Sequence, residues 1–322
     1  MGDDRAAPAP LNVTVLMGGP SSEREVSLVS GEAVARALEG LGHRVLRADI
    51  QPHDASALDA PGTDVVFIAL HGEFGEDGKV QTLCEARGLP YTGSNPRASE
   101  LAMDKAAAKQ IVRRHGLATP DWIVIEEYHT PSQTARHVAE MPPPVVVKPV
   151  TGGSSVDVTI ARTIDQRDAA IEAGLDKYGR VMIERFVTGR ELTVGILGEE
   201  PLPVIEIVPK GAFYDYAAKY ADDAGTEYRF DLDVEAGALR AIQASALAVH
   251  QGMGCRDMSR VDFILDQGGQ AWMLEVNAIP GFTGHSLLPM AARRSGIEFP
   301  QLVDRLVRMA YSRRIQALPS AR

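Results

Sequence analysis

The sequence has few of the residues and segments that mark several common classes of protein. Its 322 residues include two cysteines, Cys84 and Cys255, with no CxxC pair and no histidine at ligand spacing. Neither a disulfide framework nor a structural zinc site is therefore predicted, and both cysteines are expected to be buried in a protein of a reducing compartment. No apolar run approaches the roughly 18 residues of a membrane span. The net charge is −10 and the basic residues are scattered, which argues against binding to nucleic acid.

Two nucleotide-binding signatures are also missing. The chain contains neither the GxxxxGK[ST] loop of P-loop enzymes nor the GxGxxG fingerprint of dinucleotide-binding domains. The N-terminal segment MGDDRAAPAP lacks the basic start and apolar core of a signal peptide, and Ala6 breaks the myristoylation pattern. We expect a cytoplasmic protein with loosely ordered ends, at residues 1–10 and after about Ser312.

What is present indicates a soluble protein of two or three domains, with 45% hydrophobic and 24% charged residues. A short apolar run at Leu11–Met17 precedes a segment with helical spacing at Glu23–Leu41. A second strand is predicted at Arg44–Ile50 and a third at Asp64–Leu70. Alternation of strand and helix predicts a parallel α/β domain at the N-terminus.

Polar clusters follow two of these predicted strands, at Gly18–Glu23 and His71–Gly78. In parallel sheets ligands bind at the carboxyl ends of the strands, so both clusters are candidates for a functional site. The first could instead serve only to cap the following helix through Ser21 or Ser22. The second could be only a mobile acidic loop.

The segment Ser259–Leu288 is the most informative in the chain. Two apolar runs, Val261–Leu265 and Ala271–Val276, flank a Gly268-Gly269 pair, which is typical of a two-residue hairpin turn. Pairing Gln267 with Gln270 would then set the register of the hairpin. That register places Asp262 opposite Glu275 and Arg260 opposite Asn277, with the apolar residues on the other face: Val261, Phe263, Leu274 and Val276.

The polar face of this hairpin is a candidate metal site. Two carboxylates at cross-strand distance, Asp262 and Glu275, would repel each other if nothing lay between them. Together with the amide oxygen of Asn277 they suit a hard divalent cation that also keeps water and phosphate ligands. The alternative is an ordinary hairpin with a solvated polar face.

Two other segments are candidates for ligand binding because of their composition. Val145–Pro149 is an apolar strand with Lys148 set into it, and a Gly/Ser loop that could hold phosphate follows at residues 151–155. Residues 208–230 concentrate aromatic side chains that glycines and charges interrupt, which favours a loop closing over a ligand.

Taken in chain order, several motifs resemble those of the D-alanine–D-alanine ligases of the ATP-grasp superfamily: GGPSSEREVS, ALHGEFGEDG, MDK, VVKP, GGSS, FYDYAAKY, RVDF and EVNAIPGFTGHSL. The resemblance runs from about residue 11 to about residue 310. It implies an α/β N-terminal Rossmann-like (pre-ATP-grasp) domain followed by a two-lobed α+β ATP-grasp fold. The expected parts are a disordered tail at 1–10, a substrate domain at 11–103, a central lobe at 104–190, and a C-terminal lobe with lid and metal site at 191–312.

The resemblance also implies an ATP site. Lys105 and Lys148 would contact the phosphates, Ser154 and Ser155 would belong to the loop covering them, and Lys219 would reach the γ-phosphate from the aromatic lid. Glu184, Phe186 and Val187 would line the adenine pocket, and Glu191 would bind the ribose. Asp262, Glu275 and Asn277 would hold two Mg²⁺ ions, or Mn²⁺ in their place.

For the substrates, the resemblance implies that Glu23 binds the ammonium of the first D-alanine, with His71 beside it. Ser286 and Leu287 would receive the carboxylate of the second D-alanine. Glu23, Ser154 and Tyr220 match a hydrogen-bonded trio that ties the three domains together in the family. Arg260 and the amide of Gly281 would stabilise the oxyanion when the second amine attacks.

The implied activity is ATP-dependent synthesis of D-alanyl-D-alanine through a D-alanyl phosphate, as a precursor for peptidoglycan and cell-wall growth, by a cytoplasmic homodimer. One alternative is a related ATP-grasp ligase with another acceptor such as D-lactate, against which Tyr220 argues. Another is a binding module without catalysis, which would have lost a metal ligand or Arg260. The chain departs from the family where Gly152 stands for Glu, Asp157 stands for Gly, and Ala278-Ile279 replaces a polar pair.

Overall fold

The structure is a computed structural model that describes residues 9–154, 156–210 and 225–317. The chain divides into two compact units. The first comprises Met1–Pro96 together with Ile279–Arg322, and the second comprises Arg97–Ala278.

In the described residues the α-helices are, in order, α1 (Arg24–Gly40), α2 (Lys79–Glu85), α3 (Pro96–Met103), α4 (Lys105–Arg114), α5 (Pro131–Ala139), α6 (Ile164–Tyr178), α7 (Ala236–Gly252), α8 (Leu287–Arg294) and α9 (Phe299–Ala317). The strands are β1 (Asn12–Gly18), β2 (Arg44–Ile50), β3 (Val65–Ile68), β4 (Trp122–Glu126), β5 (Val145–Pro149), β6 (Thr159–Ala161), β7 (Arg180–Arg185), β8 (Gly189–Leu197), β9 (Glu200–Pro201), β10 (Ile205–Val208), β11 (Glu227–Arg229), β12 (Met258–Asp266) and β13 (Ala271–Asn277).

The first unit is built on a parallel sheet in the order β2-β1-β3. The central strand β1 is apolar and buried along nearly its whole length, which is usual where helices cover both faces of a parallel sheet. Helix α1 packs its buried face, which includes Val34 and Leu38, against this sheet. The parallel α/β arrangement predicted for the N-terminal segment is therefore confirmed.

The last part of the chain packs in the same unit. Phe282 stacks edge-on against Phe67 of β3 at 5.2 Å between ring centroids. His43 Nε2 lies 2.9 Å from the carboxylate of Asp304 on α9. These contacts join residues far apart in sequence, and so keep residues 279–317 with the N-terminal sheet.

The second unit contains two antiparallel sheets. One has the order β4-β7-β5-β6 and is covered by α5 and α6, each of which begins with a threonine capping box, at Thr130 and Thr163. The other has the order β11-β10-β8-β12-β13, with β9 paired to β8. Helices α4 and α7 pack on the second sheet through a core that includes Val194, Ala246 and Phe263.

Candidate active site

The hairpin β12–β13 carries the candidate metal ligands in the predicted register. Arg260 pairs with Asn277 and Asp262 with Glu275. The predicted turn is wrong, because Asp266 rather than Gln267 closes the loop with Gln270 through their backbones at 3.0 Å. The loop therefore has three residues and ends at Gly269 in a left-handed conformation, with φ 81°.

A β-bulge between the loop and the candidate metal ligands changes the register of the hairpin. The pairing shifts by one residue between Asp262 and Phe263, so Phe263 faces Met273 instead of the predicted Leu274. Met273 is buried in the apolar core and Leu274 is only half-buried. The longer loop and the bulge each shift the pairing by one residue, in opposite directions. Asp262 therefore pairs with Glu275, as predicted from a two-residue turn.

Asp262 is buried and densely hydrogen-bonded. Its carboxylate accepts two bonds from the guanidinium of Arg260, at 2.9 and 2.8 Å, and one from the hydroxyl of Thr193 at 2.6 Å. The amide of Asn277 donates to the same carboxylate at 3.2 Å. The sequence did not single out Thr193, which lies next to Asp262 on β8 and helps to fix the orientation of that carboxylate.

The donor set of this hairpin fits a hard divalent cation better than a soft one. It offers two carboxylates and one amide oxygen, which are the ligand types that Mg²⁺ prefers. Among the described residues no group of three or more His, Cys, Asp or Glu side chains forms a metal cluster. Asp262, Glu275 and Asn277 include only two such acids, so their assignment to a metal stays a prediction.

Lys105 lies between this hairpin and the Gly/Ser loop. Its ammonium donates to the carbonyl of Gly152, and it is 3.9 Å from Glu275. Its backbone N–H also donates to the carbonyl of Val150 at 3.0 Å. The side chain is buried at the start of α4, where Asp104 caps the helix by accepting from the Ala107 N–H. A lysine in this position can contact an anion held near the loop.

A second lysine, Lys148 on β5, is buried against Glu184 on β7 at 2.9 Å. Lys109 of α4, a residue not predicted for the site, contacts the other oxygen of the same carboxylate. Burial by itself would raise the pKa of Glu184, but the two ammonium groups outweigh it and hold that pKa below its usual range. Lys148 was conspicuous in the sequence because it lies in an apolar strand, whereas Lys109 has no comparable signal beyond its position one helical turn after Lys105.

The Gly/Ser loop has an unusual backbone. Gly152, Ser154 and Asp157 have φ values of 114°, 54° and 55°, and Ser154 is buried. Asp157, one of the departures from the family pattern, forms an ion pair with Lys177 at 2.6 Å and accepts from the hydroxyl of Tyr178. The loop is thereby connected to the end of α6. Ser155, Lys219 and Tyr220, together with the rest of residues 211–224, lie outside the described residues.

The residues predicted for the adenine and ribose lie at the junction of the two sheets of the second unit. Phe186 and Val187 directly follow β7, which ends at Arg185, and Glu191 lies on β8 opposite Ile207 of β10. The guanidinium of Arg162 lies 5.7 Å from the Phe186 ring centroid. Glu184 is the last residue but one of β7, and Phe186 and Val187 follow within three positions of it, so the three predicted residues lie close together at one end of the strand.

In the first unit, Glu23 and His71 lie on facing loops. The hydroxyl of Ser21 donates to the His71 carbonyl at 2.6 Å, and a Cβ built on Gly72 would lie 2.9 Å from the Glu23 carboxylate. The N-cap of α1 is Glu23 and neither Ser21 nor Ser22, so capping of this helix by a serine does not explain that cluster. His71 is buried, with Nε2 3.3 Å from the Ser30 hydroxyl.

The remaining predicted residues are in the same unit: Ser286 and Leu287 lie at the start of α8, and Gly281 lies in the loop before it. Ser286 is the N-cap of that helix, and its hydroxyl accepts from the Thr283 N–H at 2.9 Å. A Cβ on Gly281 would lie 2.7 Å from this hydroxyl, so a side chain there would displace it. Unpaired N–H groups and the helix dipole favour an anion at such a position. Among the helices of the described ranges, none has the length and apolarity needed to cross a membrane.

Comparisons with known proteins agree with these features. A family model described as "D-ala D-ala ligase C-terminus" matches residues 111–308, and one described as "D-ala D-ala ligase N-terminus" matches residues 49–94. Among curated relatives, a D-alanine–D-alanine ligase of Synechococcus sp. (strain JA-3-3Ab) is 43% identical over 94% of this chain and 94% of its own length. That of Aquifex aeolicus is 43% identical over 92% of this chain and 100% of its own length.

Similar solved structures point the same way. A D-alanine–D-alanine ligase from Bacillus anthracis, also solved in complex with ATP, has a TM-score of 0.83 and 32% identity, covering 96% of this chain and 99% of that one. The VanG D-Ala:D-Ser ligase from Enterococcus faecalis has a TM-score of 0.83 and 27% identity, covering 94% of this chain and 100% of that one.

Proposed function

The chain belongs to the D-alanine–D-alanine ligase family, and from this premise we propose that it uses ATP to join two D-alanine molecules into D-alanyl-D-alanine. The observation that carries the proposal is the register of the β12–β13 hairpin, which brings Asp262, Glu275 and Asn277 to one face with Arg260 beside them. A binding module without catalysis would have no need to keep this set. In the cell the product would serve as a precursor of peptidoglycan.

The finer description of the fold is part of the proposal. The two antiparallel sheets of the second unit would be the two lobes of an ATP-grasp fold, and the parallel sheet of the first unit would be a Rossmann-like domain. Similarity to the ATP-complexed Bacillus anthracis ligase supports this description. We also propose a cytoplasmic homodimer, as the family resemblance implies.

In this proposal the second unit binds ATP. Lys105 and Lys148 contact the phosphates, Ser154 and Ser155 cover them, and Lys219 reaches the γ-phosphate. Glu184, Phe186 and Val187 line the adenine pocket, and Glu191 binds the ribose. The buried position of both described lysines supports the assignment, because desolvated ammonium groups attract phosphate strongly.

Asp262, Glu275 and Asn277 would hold two Mg²⁺ ions. When bound, Mg²⁺ supplies positive charge that offsets the charge building up on a transferring phosphoryl group. The chain itself supplies Arg260, whose guanidinium Asp262 holds in a fixed orientation at 2.8–2.9 Å. An oriented guanidinium next to a developing oxyanion stabilises it, typically by roughly 3–4 kcal/mol for one donor.

The substrates would be bound chiefly through their charges. Glu23 would pair with the ammonium of the first D-alanine beside His71, and Ser286 and Leu287 would bind the carboxylate of the second D-alanine at the N-terminus of α8. A carboxylate oxygen of the first D-alanine attacks the γ-phosphorus of ATP and releases ADP. The neutral amine of the second then attacks the acyl carbon and gives a tetrahedral oxyanion, whose stabilisation the family resemblance assigns to Arg260 and the Gly281 amide. Inorganic phosphate leaves as the attacking nitrogen loses a proton.

The proposal is tested with the purified protein, ATP, Mg²⁺ and D-alanine. We expect one phosphate released for each D-alanyl-D-alanine formed, measured by a phosphate assay and by mass spectrometry of the product. L-alanine in place of D-alanine should yield neither. Absence of dipeptide under these conditions would refute the assignment.

The second substrate needs a separate comparison. The similar VanG enzyme is a D-Ala:D-Ser ligase, and D-lactate is a second alternative acceptor. Reactions with D-alanine plus equal D-serine or D-lactate should still give mainly D-alanyl-D-alanine. If D-alanyl-D-serine or D-alanyl-D-lactate predominated, the protein would be a ligase for that other acceptor, with the same use of ATP.

A further inference from the structure

Lys109 is a buried charged residue to which the proposed mechanism gives no role. It lies on α4 with none of its side chain exposed to solvent. Its ammonium donates to the hydroxyl of Thr119 at 2.6 Å, lies 5.7 Å from the centre of the Trp122 ring and contacts the Glu184 carboxylate. Isolated buried lysines are costly, so this arrangement needs a reason beyond packing.

The carboxylate that Lys109 contacts is shared with a second lysine. Lys148 donates to one oxygen of Glu184 at 2.9 Å, and Lys109 contacts the other oxygen. If Glu184 had Lys148 as its sole partner, the two opposite charges would cancel, and Lys148 would attract a further anion weakly. With two ammonium groups on one carboxylate, the cluster keeps one net positive charge.

We propose that Lys109 is a positioning residue for ATP: it neutralises Glu184 from the side opposite Lys148, and thereby leaves the charge of Lys148 available to the triphosphate. The inference rests on the proposed function, because it assumes that Lys148 meets the phosphates. Thr119 supports this role, since its hydroxyl accepts from Lys109 while donating to the Met273 carbonyl at 2.7 Å. Lys109 is therefore held in place from β13 as well as from its own helix.

The protonation of Lys109 links this cluster to pH. Burial lowers the pKa of Lys109 to about 8, even though Glu184 opposes the shift. The other charged groups that act on it are Lys148 on β5 and Arg113 on its own helix, and both lower the pKa further. Above pH 8 Lys109 loses its proton, and the charges of Glu184 and Lys148 then cancel each other. The cluster becomes neutral, so ATP should bind more weakly.

The experiment measures the Kd of the full-length protein for ATP with Mg²⁺ by titration calorimetry, without D-alanine, from pH 7 to 9. In the wild type we expect Kd to rise through an apparent pKa near 8. Lys109→Met should raise Kd about tenfold at pH 7 and remove that pH dependence. Arg114→Met is the control, because it removes an exposed basic residue from the same helix, and it should bind ATP within twofold of the wild type.

A double-mutant comparison separates this role from simple packing. If Lys109 acts by neutralising Glu184, adding Lys109→Met to Glu184→Gln should change Kd by less than twofold, because no buried carboxylate remains to neutralise. If Lys109→Met alone fails to fold, the pH dependence of the wild-type Kd is the test, and a Kd that does not change between pH 7 and 9 would overturn the inference. Equal losses in both backgrounds, or a Lys109→Met protein with the ATP affinity and pH dependence of the wild type, would overturn the inference.

The outcome is distinguishable from that of the proposed function. A protein that shows these ATP shifts but forms no D-alanyl-D-alanine would support the role of Lys109 and refute the ligase assignment. If the protein forms the dipeptide, but Lys109→Met lowers ATP affinity equally in the wild type and in Glu184→Gln, the ligase assignment is supported and the role of Lys109 is refuted.

Discussion

Replacing His250 by glutamine is expected to make the second unit less sensitive to acid. His250 lies on α7, and its Nδ1 is 2.7 Å from the hydroxyl of Ser259 on β12, the strand that also carries Arg260 and Asp262. Both partners are buried, with 3% and 0% of their surfaces exposed. Burial lowers the pKa of His250 to about 4, although the nearby Asp257 acts in the opposite direction.

The size of the effect follows from the two protonation states. Between pH 6.5 and pH 4 the unfolded chain binds a proton at His250 that the folded protein does not bind. The free energy of unfolding therefore falls as the pH decreases through this range, by about 2 kcal/mol at pH 5 relative to pH 8. Glutamine keeps a polar group near Ser259 but cannot take up the proton. The unfolding free energy of the variant should therefore fall by about 2 kcal/mol less than that of the wild type between pH 8 and pH 5.

The measurement is urea unfolding followed by tryptophan fluorescence at pH 8 and pH 5. Both tryptophans, Trp122 and Trp272, lie in the second unit, so the signal reports on the unit that contains His250. His53→Gln, at an exposed position of the first unit, is the matched control and should lose as much stability as the wild type. If His250→Gln shows the same acid loss as the wild type, the reasoning about this buried histidine is refuted.

Three further predictions concern other residues. Glu275→Gln should leave the fold intact but weaken Mg²⁺ binding and lower ligase activity by at least about 100-fold, measured by metal titration and dipeptide formation; wild-type activity would contradict the metal assignment. Asp157→Asn keeps a residue that tolerates positive φ but removes the charge paired with Lys177, so the thermal midpoint should fall by about 2 °C at most, and not at all in high salt. Burial raises the pKa of Cys84 to about 12, so iodoacetamide at pH 8 should modify it after unfolding and not before, as peptide mass spectrometry can show.

The sequence predicted the hairpin register correctly through two errors that compensated each other. Glycine pairs between apolar strands indicate a turn, but they do not distinguish a two-residue loop from a three-residue loop ending in a left-handed glycine. The bulge at Leu274 has no signal of its own, because Met273 and Leu274 are both apolar and either could face the core. Only packing against β8 and α4 decides which one is buried.

Two strands outside the hairpin were predicted with their bounds. The strands at Arg44–Ile50 and Val145–Pro149 have the bounds that were expected from the sequence. Helix α6 (Ile164–Tyr178) was not predicted, and it has few buried positions, Arg167 and Ile171 among them, so its apolar periodicity is weak. Capping by Thr163 is the local signal that could have identified its start.

The chemistry of the site was predictable only where residue types are unusual for their position. Lys148 was conspicuous in an apolar strand, whereas Lys109 on a polar-looking helix resembles any solvated lysine. Its burial depends on Glu184 of β7 and Thr119 lying against the same face of α4, and these contacts join separate parts of the chain. Residues such as Tyr220 and Lys219 stay predictions from the family resemblance.

The most direct test of the central claim follows the oxygen atoms of the first substrate. D-alanine labelled with ¹⁸O in its carboxylate is incubated with the protein, ATP and Mg²⁺, and the released inorganic phosphate is analysed by mass spectrometry. If the carboxylate attacks the γ-phosphorus and the amine of the second D-alanine then displaces phosphate, each phosphate carries one ¹⁸O atom. Phosphate without ¹⁸O, released alongside dipeptide, would contradict activation through an acyl phosphate and with it the mechanism proposed for this protein.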